Sequence, residues 1–359
     1  MNTKKCFING MGCISAQPTF ENSFLENPQI PTNVVDFEVV KPNYKEFISA
    51  SALRRMKSGI KNAVVASSLA IKDAAIHPEK IEAIITGTAF GGRQYSDEFL
   101  KRLVDYDEEY LSPTPFIQST HNTVGGQIAL NLNNHAYNVT YVNSAAAFSS
   151  ALLDALLYIN TAQKSNILVG GVDELSKKSI ERYRLVDHYK LEKDKNFDIL
   201  KTSSTGCFPG EGAGFFMLSK NQQENSYAEL VDVQMKNDLK VEDLNQFVSS
   251  FLSYNELSIK DVDVLLLGNN GDENFDYYYE KIENIFTTSE NIYYKHLFGD
   301  FPTSSAIAFW IAAKILKDQH IPEVLYKTAE KSQQKTYKNI LLYNQYRGKD
   351  HSLILLKNV

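Results

Sequence analysis

With 359 residues, 43% of them apolar, the chain can bury a large core and exceeds the usual size of one compact unit, about 150 residues. A formal net charge of -6 argues against a nucleic-acid partner, and no run approaches the ~18 consecutive apolar residues of a membrane span. Three cysteines (Cys6, Cys13, Cys207) without C-x-x-C spacing indicate no disulfide framework and no zinc site, and nothing at the start reads as a signal peptide. A cytoplasmic protein without metal or other cofactor is the expectation.

Along the chain, strand-like and helix-like segments alternate. Phe7 to Gly12 reads as a strand running into glycines, Ala52 to Ala75 has helical periodicity, and Glu82 to Gly87 is a short β-branched run. Asn138 to Val142 reads as a strand followed by a helix from Ala145 to about Thr161, then short strands at Asn166 to Gly170 and Gly214 to Leu218. The second part repeats the scheme: a strand from Tyr227, a helix from Glu242, a buried strand at Asp263 to Leu267, and a helix from Asp276. A strand at Ile292 to Leu297, a helix from Ser304 to Leu316 and two closing strands, Asn339 to Tyr343 and Ser352 to Leu356, complete it. Such alternation predicts an α/β layered architecture.

Asn166-Ile-Leu-Val and Asn339-Ile-Leu-Leu each stand near the end of a half and each precede one more strand, a weak mark of internal duplication. The polar connector Lys220 to Ser226 places the boundary, giving halves 1–220 and 221–359. Each half holds one helix that is apolar nearly all round, Ala145 to Leu157 and Ala306 to Ala313. A helix without a polar face must be buried on every side. Two sheets with a central helix pair between them satisfy that; a single doubly wound sheet would call for amphipathic helices.

Several segments, in order, resemble the β-ketoacyl synthases of the thiolase superfamily: the opening strand Phe7 to Ser15, Leu53-Arg54-Arg55-Met56, and Phe116 to Gln127, similar to the family's dimer-interface segment. Gly170-Gly171-Val172-Asp173-Glu174 and Pro209-Gly-Glu-Gly-Ala-Gly214 look like two further signatures. The resemblance implies the thiolase fold, two pseudo-duplicated halves forming a five-layered αβαβα sandwich. It also implies a chemistry: an acyl-thioester forms on a cysteine, and a second, malonyl unit is decarboxylated and attacks it.

In that family the nucleophile stands at a strand-to-helix turn, where the helix dipole and free N–H groups favour a thiolate. Here Ser144 takes the cysteine's position. Two readings are open: Ser144, or Asn143, caps the buried helix, or Ser144 is a nucleophile that needs a base. Two histidines, or a histidine and an asparagine, donate to the thioester oxygen in the family; Asn270 and Asp300 stand at those positions, with Lys295 retained. An ionised aspartate only accepts hydrogen bonds, and losing one oxyanion donor costs about a hundred- to thousandfold in rate. The glycine-rich gating loop is replaced by a short charged segment, Asn344 to Asp350. A rescue is conceivable through Ser144, His296 and Asp300 as a triad-like set, or through His121; the plainer reading makes these an interface histidine and a strand-end histidine.

Retention of the scaffold with loss of the catalytic set resembles the chain-length-factor class, whose members pair with an active ketosynthase in type II polyketide and aryl-polyene assembly. The resemblance implies an active ketosynthase subunit and an acyl carrier protein as partners. It makes Phe116 and Ile117 tunnel-lining or interface residues. The basic group Arg54, Arg55, Lys57 and Lys61 is then either a carrier-protein docking site or a solvated helix face. Two alternatives are an active acyltransferase using Ser144 and a homodimer that holds a carrier protein without chemistry.

Overall fold

A computed structural model describes residues 5–21, 25, 28–109, 111–161, 166–191, 197–201, 203–328 and 336–359. Ten strands form it: β1 (Phe7–Ile14), β2 (Ala83–Gly87), β3 (Tyr137–Tyr141), β4 (Asn166–Asp173), β5 (Gly212–Ser219), β6 (Ala228–Asn237), β7 (Val264–Leu267), β8 (Glu290–Tyr293), β9 (Asn339–Tyr346) and β10 (Asp350–Lys357). Their order is β3-β2-β4-β5-β1-β6-β10-β9-β7-β8. The first five strands lie in the order 3-2-4-5-1, and reading the other set from its far edge gives 8-7-9-10-6, the same order. Within each set one strand pairs in parallel with two neighbours, β2 with β3 and β4, β7 with β8 and β9. The sets are joined along one seam, where Phe7 and Ile8 pair with Glu229 and Ala228.

Three apolar layers separate the helices from the sheet. One lies outside the first set, where helix Ser58–Asp73 packs on β1 and β5. The middle layer holds the two helices that the sequence marks as apolar all round, Ala147–Thr161 and Ser305–Asp318, with Phe148, Phe216 and Phe309 in edge contact. The third lies outside the second set, under helices Leu244–Tyr254 and Tyr277–Glu283. Helix, sheet, helix pair, sheet, helix is the five-layered sandwich expected. β1 is buried along its whole length, and its glycines set how closely the outer helix lies on it: a Cβ at Gly12 would come within 2.1 Å of the Ala66 carbonyl oxygen.

Local boundaries differ in four places that bear on the site. The helix expected from Ala52 to Ala75 is two helices, Ala50–Leu53 and Ser58–Asp73, broken at Arg54 to Lys57. The strand expected at Ile292 to Leu297 ends at Tyr293; Lys295–Phe298 is a helical turn closed by Gly299 at φ 72°. Helix Ala147–Thr161 begins two residues late, after a 3-10 turn at Ser144–Ala146. The charged segment Asn344 to Asp350 is no loop over a pocket but the tip of the β9–β10 hairpin, with Asn344 and Gln345 buried within β9.

Candidate functional site

Ser144 stands at the turn between β3 and the central helix, exposed, with φ at 55°. Left-handed backbone costs a non-glycine residue about 1–2 kcal/mol, so packing must impose it. The turn packs on Pro302–Ser304 and on β10. Neither Asn143 nor Ser144 acts as the cap expected of them: the Asn143 amide donates to Ser150 Oγ at 2.8 Å, and the Ser144 hydroxyl has no hydrogen bond among the described residues. Beneath this turn, buried Asp173 ties the two sets of strands together. One of its oxygens accepts from Thr88 Oγ1, Ala89 N–H and Phe90 N–H, the other from Thr303 N–H and Oγ1.

The other three expected residues come together in one buried cluster. After β7, the chain turns through Asn270, whose backbone N–H, with that of Gly271, is taken by the Asp276 carboxylate at 3.3 and 2.8 Å. Burial pushes that carboxyl up to about 6. The Asn270 Oδ1 accepts from Asp272 N–H at 3.1 Å, which fixes the amide so that Nδ2 donates to Asp300 Oδ2 at 2.9 Å. The other oxygen of Asp300 lies 2.7 Å from Lys295 Nζ, with the two side chains 3% and 1% exposed. Burial draws the lysine's pKa down, but the Asp300 carboxylate more than offsets it and holds the ammonium above the ordinary lysine range. Asp300 itself is clamped through its backbone: its N–H donates to Phe208 O at 2.8 Å and its carbonyl accepts from Gly210 N–H at 2.9 Å.

Chemically, the cluster is closed. One carboxylate oxygen accepts from the Asn270 amide and the other is ion-paired with Lys295. The cluster therefore has a carboxylate, an acceptor of hydrogen bonds only, at its centre.

The conceivable triad is not built. His296 is buried, and its Nε2 donates to Val324 O at 2.8 Å rather than facing Asp300, which is held by Lys295. Desolvation lowers the imidazole to about 4, so it is neutral at pH 7. His121 is half-buried against Gly91, in the turn after helix Pro113–Gln118. On that helix Phe116 and Ile117 are each 58% exposed, with the Phe116 ring 5.4 Å from Phe99. In the isolated chain they form an outward apolar surface with Leu100 and Val104 of helix Arg93–Asp105.

Arg54 and Arg55 are exposed on the helix break and line a cleft of about 560 Å³ with Lys57, Lys61 and Arg102. Thus Arg54, Arg55 and Lys57 stand at the break between two helices, and Lys61 on the first turn of the second. Lys57 is paired with Glu98 at 2.9 Å, and Lys61 is lowered by burial and by Lys57 and Lys41.

Sequence reasoning missed the groups that hold these parts in place. Glu174 accepts from Gly59 N–H, Ser58 Oγ and Gln94 N–H; Glu211 accepts from Val39 N–H and Leu175 N–H, and burial raises it to about 7. A hint of both was present: an acid inside a glycine-rich run, Gly170 to Glu174 and Gly210 to Gly214, stands where the backbone is tightly buried. Buried Lys190 gave no such signal, yet its Nζ donates to Ser204 and to Gly271 O beside Asn270.

Comparison with known proteins now decides the family. Residues 30–224 match the family model described as the N-terminal domain of β-ketoacyl synthase. The chain belongs to the β-ketoacyl synthase family. A search of curated protein sequences gives no match. Three solved structures align over 99% of the chain. The ishigamide ketosynthase/chain length factor has a TM-score of 0.83 at 14% identity, with 100% of that chain covered. A β-ketoacyl synthase from Burkholderia phymatum has 0.81 at 14%, also with 100% covered. The ketosynthase ApeO in complex with its chain length factor ApeC, from Xenorhabdus doucetiae, has 0.76 at 16%, with 98% covered. At these identities the likeness establishes the ketosynthase fold over both halves. No described helix is long and apolar enough to cross a membrane.

Proposed function

We propose that this ketosynthase-family chain does not condense acyl units itself and acts as a chain-length-factor-like partner of an active β-ketoacyl-carrier-protein synthase. The observation that carries the reading is the buried Lys295–Asp300–Asn270 cluster, in which a carboxylate, an acceptor only, stands where the family is expected to gather donors for decarboxylation. Two of the similar structures are, by their titles, a ketosynthase with a chain length factor. A fourth similar structure, AntDE:AntF, is by its title a type II polyketide acyl-carrier protein in complex with its ketosynthase.

The surface supports pairing. β3 is the outermost strand of its set, with one edge unpaired and Tyr137 43% exposed, and Val142, Leu130 and Leu157 are exposed beside it. A bare strand edge with apolar neighbours is a template for a partner. On this reading Phe116 and Ile117 line the tunnel or the interface, His121 belongs to that interface, and Arg54, Arg55, Lys57 and Lys61 receive an acidic carrier protein. The chain is two duplicated halves joined at Lys220 to Ser226, and its pathway is polyketide, aryl-polyene or fatty-acid-like elongation in the cytoplasm. Co-expression with an intact ketosynthase, followed by size-exclusion chromatography, should give a one-to-one complex. A homodimer that ignores the ketosynthase would contradict the pairing.

One observation favours a second reading. Ser144, uncapped, exposed and at φ 55° on a strand-to-helix turn, has the placement of a nucleophile. Neither His296 nor Asp300 serves it as a base, since both are engaged elsewhere.

A further inference from the structure

His296 is not only excluded from the catalytic cluster; it forms part of the wall of a separate cleft. That cleft has a volume of about 440 Å³, within the range that suits a small-molecule ligand. Val34, Phe37, Phe197, Ile199 and Phe208 give it apolar walls, with Val324 beside the histidine, and the charged side chains of Asp198, Lys201, Glu323 and Lys327 also line it. The ring centroids of Phe37 and Phe197 lie 6.4 and 6.1 Å from that of Phe208, tilted or edge-on, so ring faces are presented at several angles.

The histidine supplies a polar contact. Its Nε2 donates to Val324 O, so in the neutral ring Nδ1 carries a lone pair and can only accept. Nδ1 is buried and has no hydrogen-bond partner among the described residues. Buried polar atoms are nearly always satisfied, and one that is not asks for a donor from outside the protein. Burial also keeps the ring neutral near pH 7, which preserves that lone pair.

We propose that this cleft binds a small phenol-type molecule, an apolar ring bearing one hydroxyl, with the hydroxyl donating to His296 Nδ1. Nothing in this depends on whether the chain condenses acyl units, because the Lys295–Asp300–Asn270 cluster takes no part in it.

The test uses two probes of nearly equal shape, 2-naphthol and 2-methoxynaphthalene, titrated into the full chain by calorimetry. One hydrogen bond to a buried acceptor predicts that 2-naphthol binds tighter by several-fold to about tenfold. Val34→Trp, which fills the cleft, should abolish binding of both, and His296→Phe should remove the preference between them. Should His296→Phe fail to fold, the wild-type chain with 15N-labelled histidine gives an independent reading: the Nδ1 resonance should move with 2-naphthol and not with its methyl ether. Failure of 2-naphthol to bind, equal affinity of the two probes, retained binding in Val34→Trp, or an unmoved Nδ1 resonance would each overturn the proposal.

Discussion

Asp300→Ala is expected to destabilise the folded chain by about 3–5 kcal/mol, the cost of leaving one member of a buried ion pair alone. Lys295 is 1% exposed, and its buried ammonium would lose its ion-pair partner, with burial then disfavouring the charge. The Asn270 amide would lose its acceptor at the same time. Taking both charges away should cost much less, since an apolar pair of similar volume needs no compensation for lost hydration. The pair Lys295→Met and Asp300→Ala should therefore recover most of the loss, short of the penalty for the orphaned Asn270 amide. Urea unfolding of the two single variants and the double variant measures this as a cycle, and a strongly negative coupling is the expected sign. Additive losses would mean that the two side chains do not pair. The cluster would then be an open polar pocket and the argument against catalysis would weaken.

His296→Gln should change how stability depends on pH. Burial lowers the imidazole from its ordinary 6.5 to about 4 in the folded chain, so the unfolded chain binds the proton first. Between pH 6.5 and pH 4 the unfolded state gains a proton that the folded state refuses, and stability falls as pH falls. The shift corresponds to up to about 3 kcal/mol by pH 4. Glu211 and Asp276 act the other way in the same window: their carboxyls are raised by burial, to about 7 and about 6, so they favour the folded state as pH falls. The whole-chain profile is thus partly cancelled, and the histidine's share appears only as a difference. Glutamine can keep the bond to Val324 O without titrating. Unfolding free energies of wild type and variant should converge toward pH 4 and separate above pH 6.5, with wild type relatively more stable on the alkaline side. Parallel profiles across that window would show that His296 titrates normally.

The fold was legible to the extent that burial writes itself into composition. Two helices without a polar face can exist only between layers, and that alone placed Ala147–Thr161 and Ser305–Asp318 at the centre. The repeated strand order was not legible, because it depends on which strands pair across long connections, and the lettering shared by Asn166 and Asn339 only hinted at it. Helices such as Arg93–Asp105 and Thr123–Leu132 went unread; the first is polar over most of its surface and the second is short and holds two glycines.

For the site, residue identity at motif positions pointed to Ser144, Asn270, Lys295 and Asp300. Their mutual geometry did not follow, since whether Asp300 meets Lys295 or His296 turns on the conformation of Gly299, which ends the helical turn at positive φ. The helical turn keeps His296 directed to Val324, while the chain reverses to bring Asp300 back onto Lys295. Asn344 and Gln345 misled for a related reason: polar side chains suggest a solvated loop, but here they are buried against Tyr279 and the hairpin turn, the Gln345 Oε1 accepting from Gly348 N–H.

If acyl chemistry belongs to a partner and not to this chain, intact mass spectrometry of the complex reconstituted with an active ketosynthase, after incubation with acyl- and malonyl-carrier protein, should show it. An acyl mass shift is expected on the ketosynthase alone, at its cysteine, with this chain unmodified. An acyl shift on this chain at Ser144, above all in a self-sufficient homodimer, would contradict it and make the protein a serine-dependent acyltransferase.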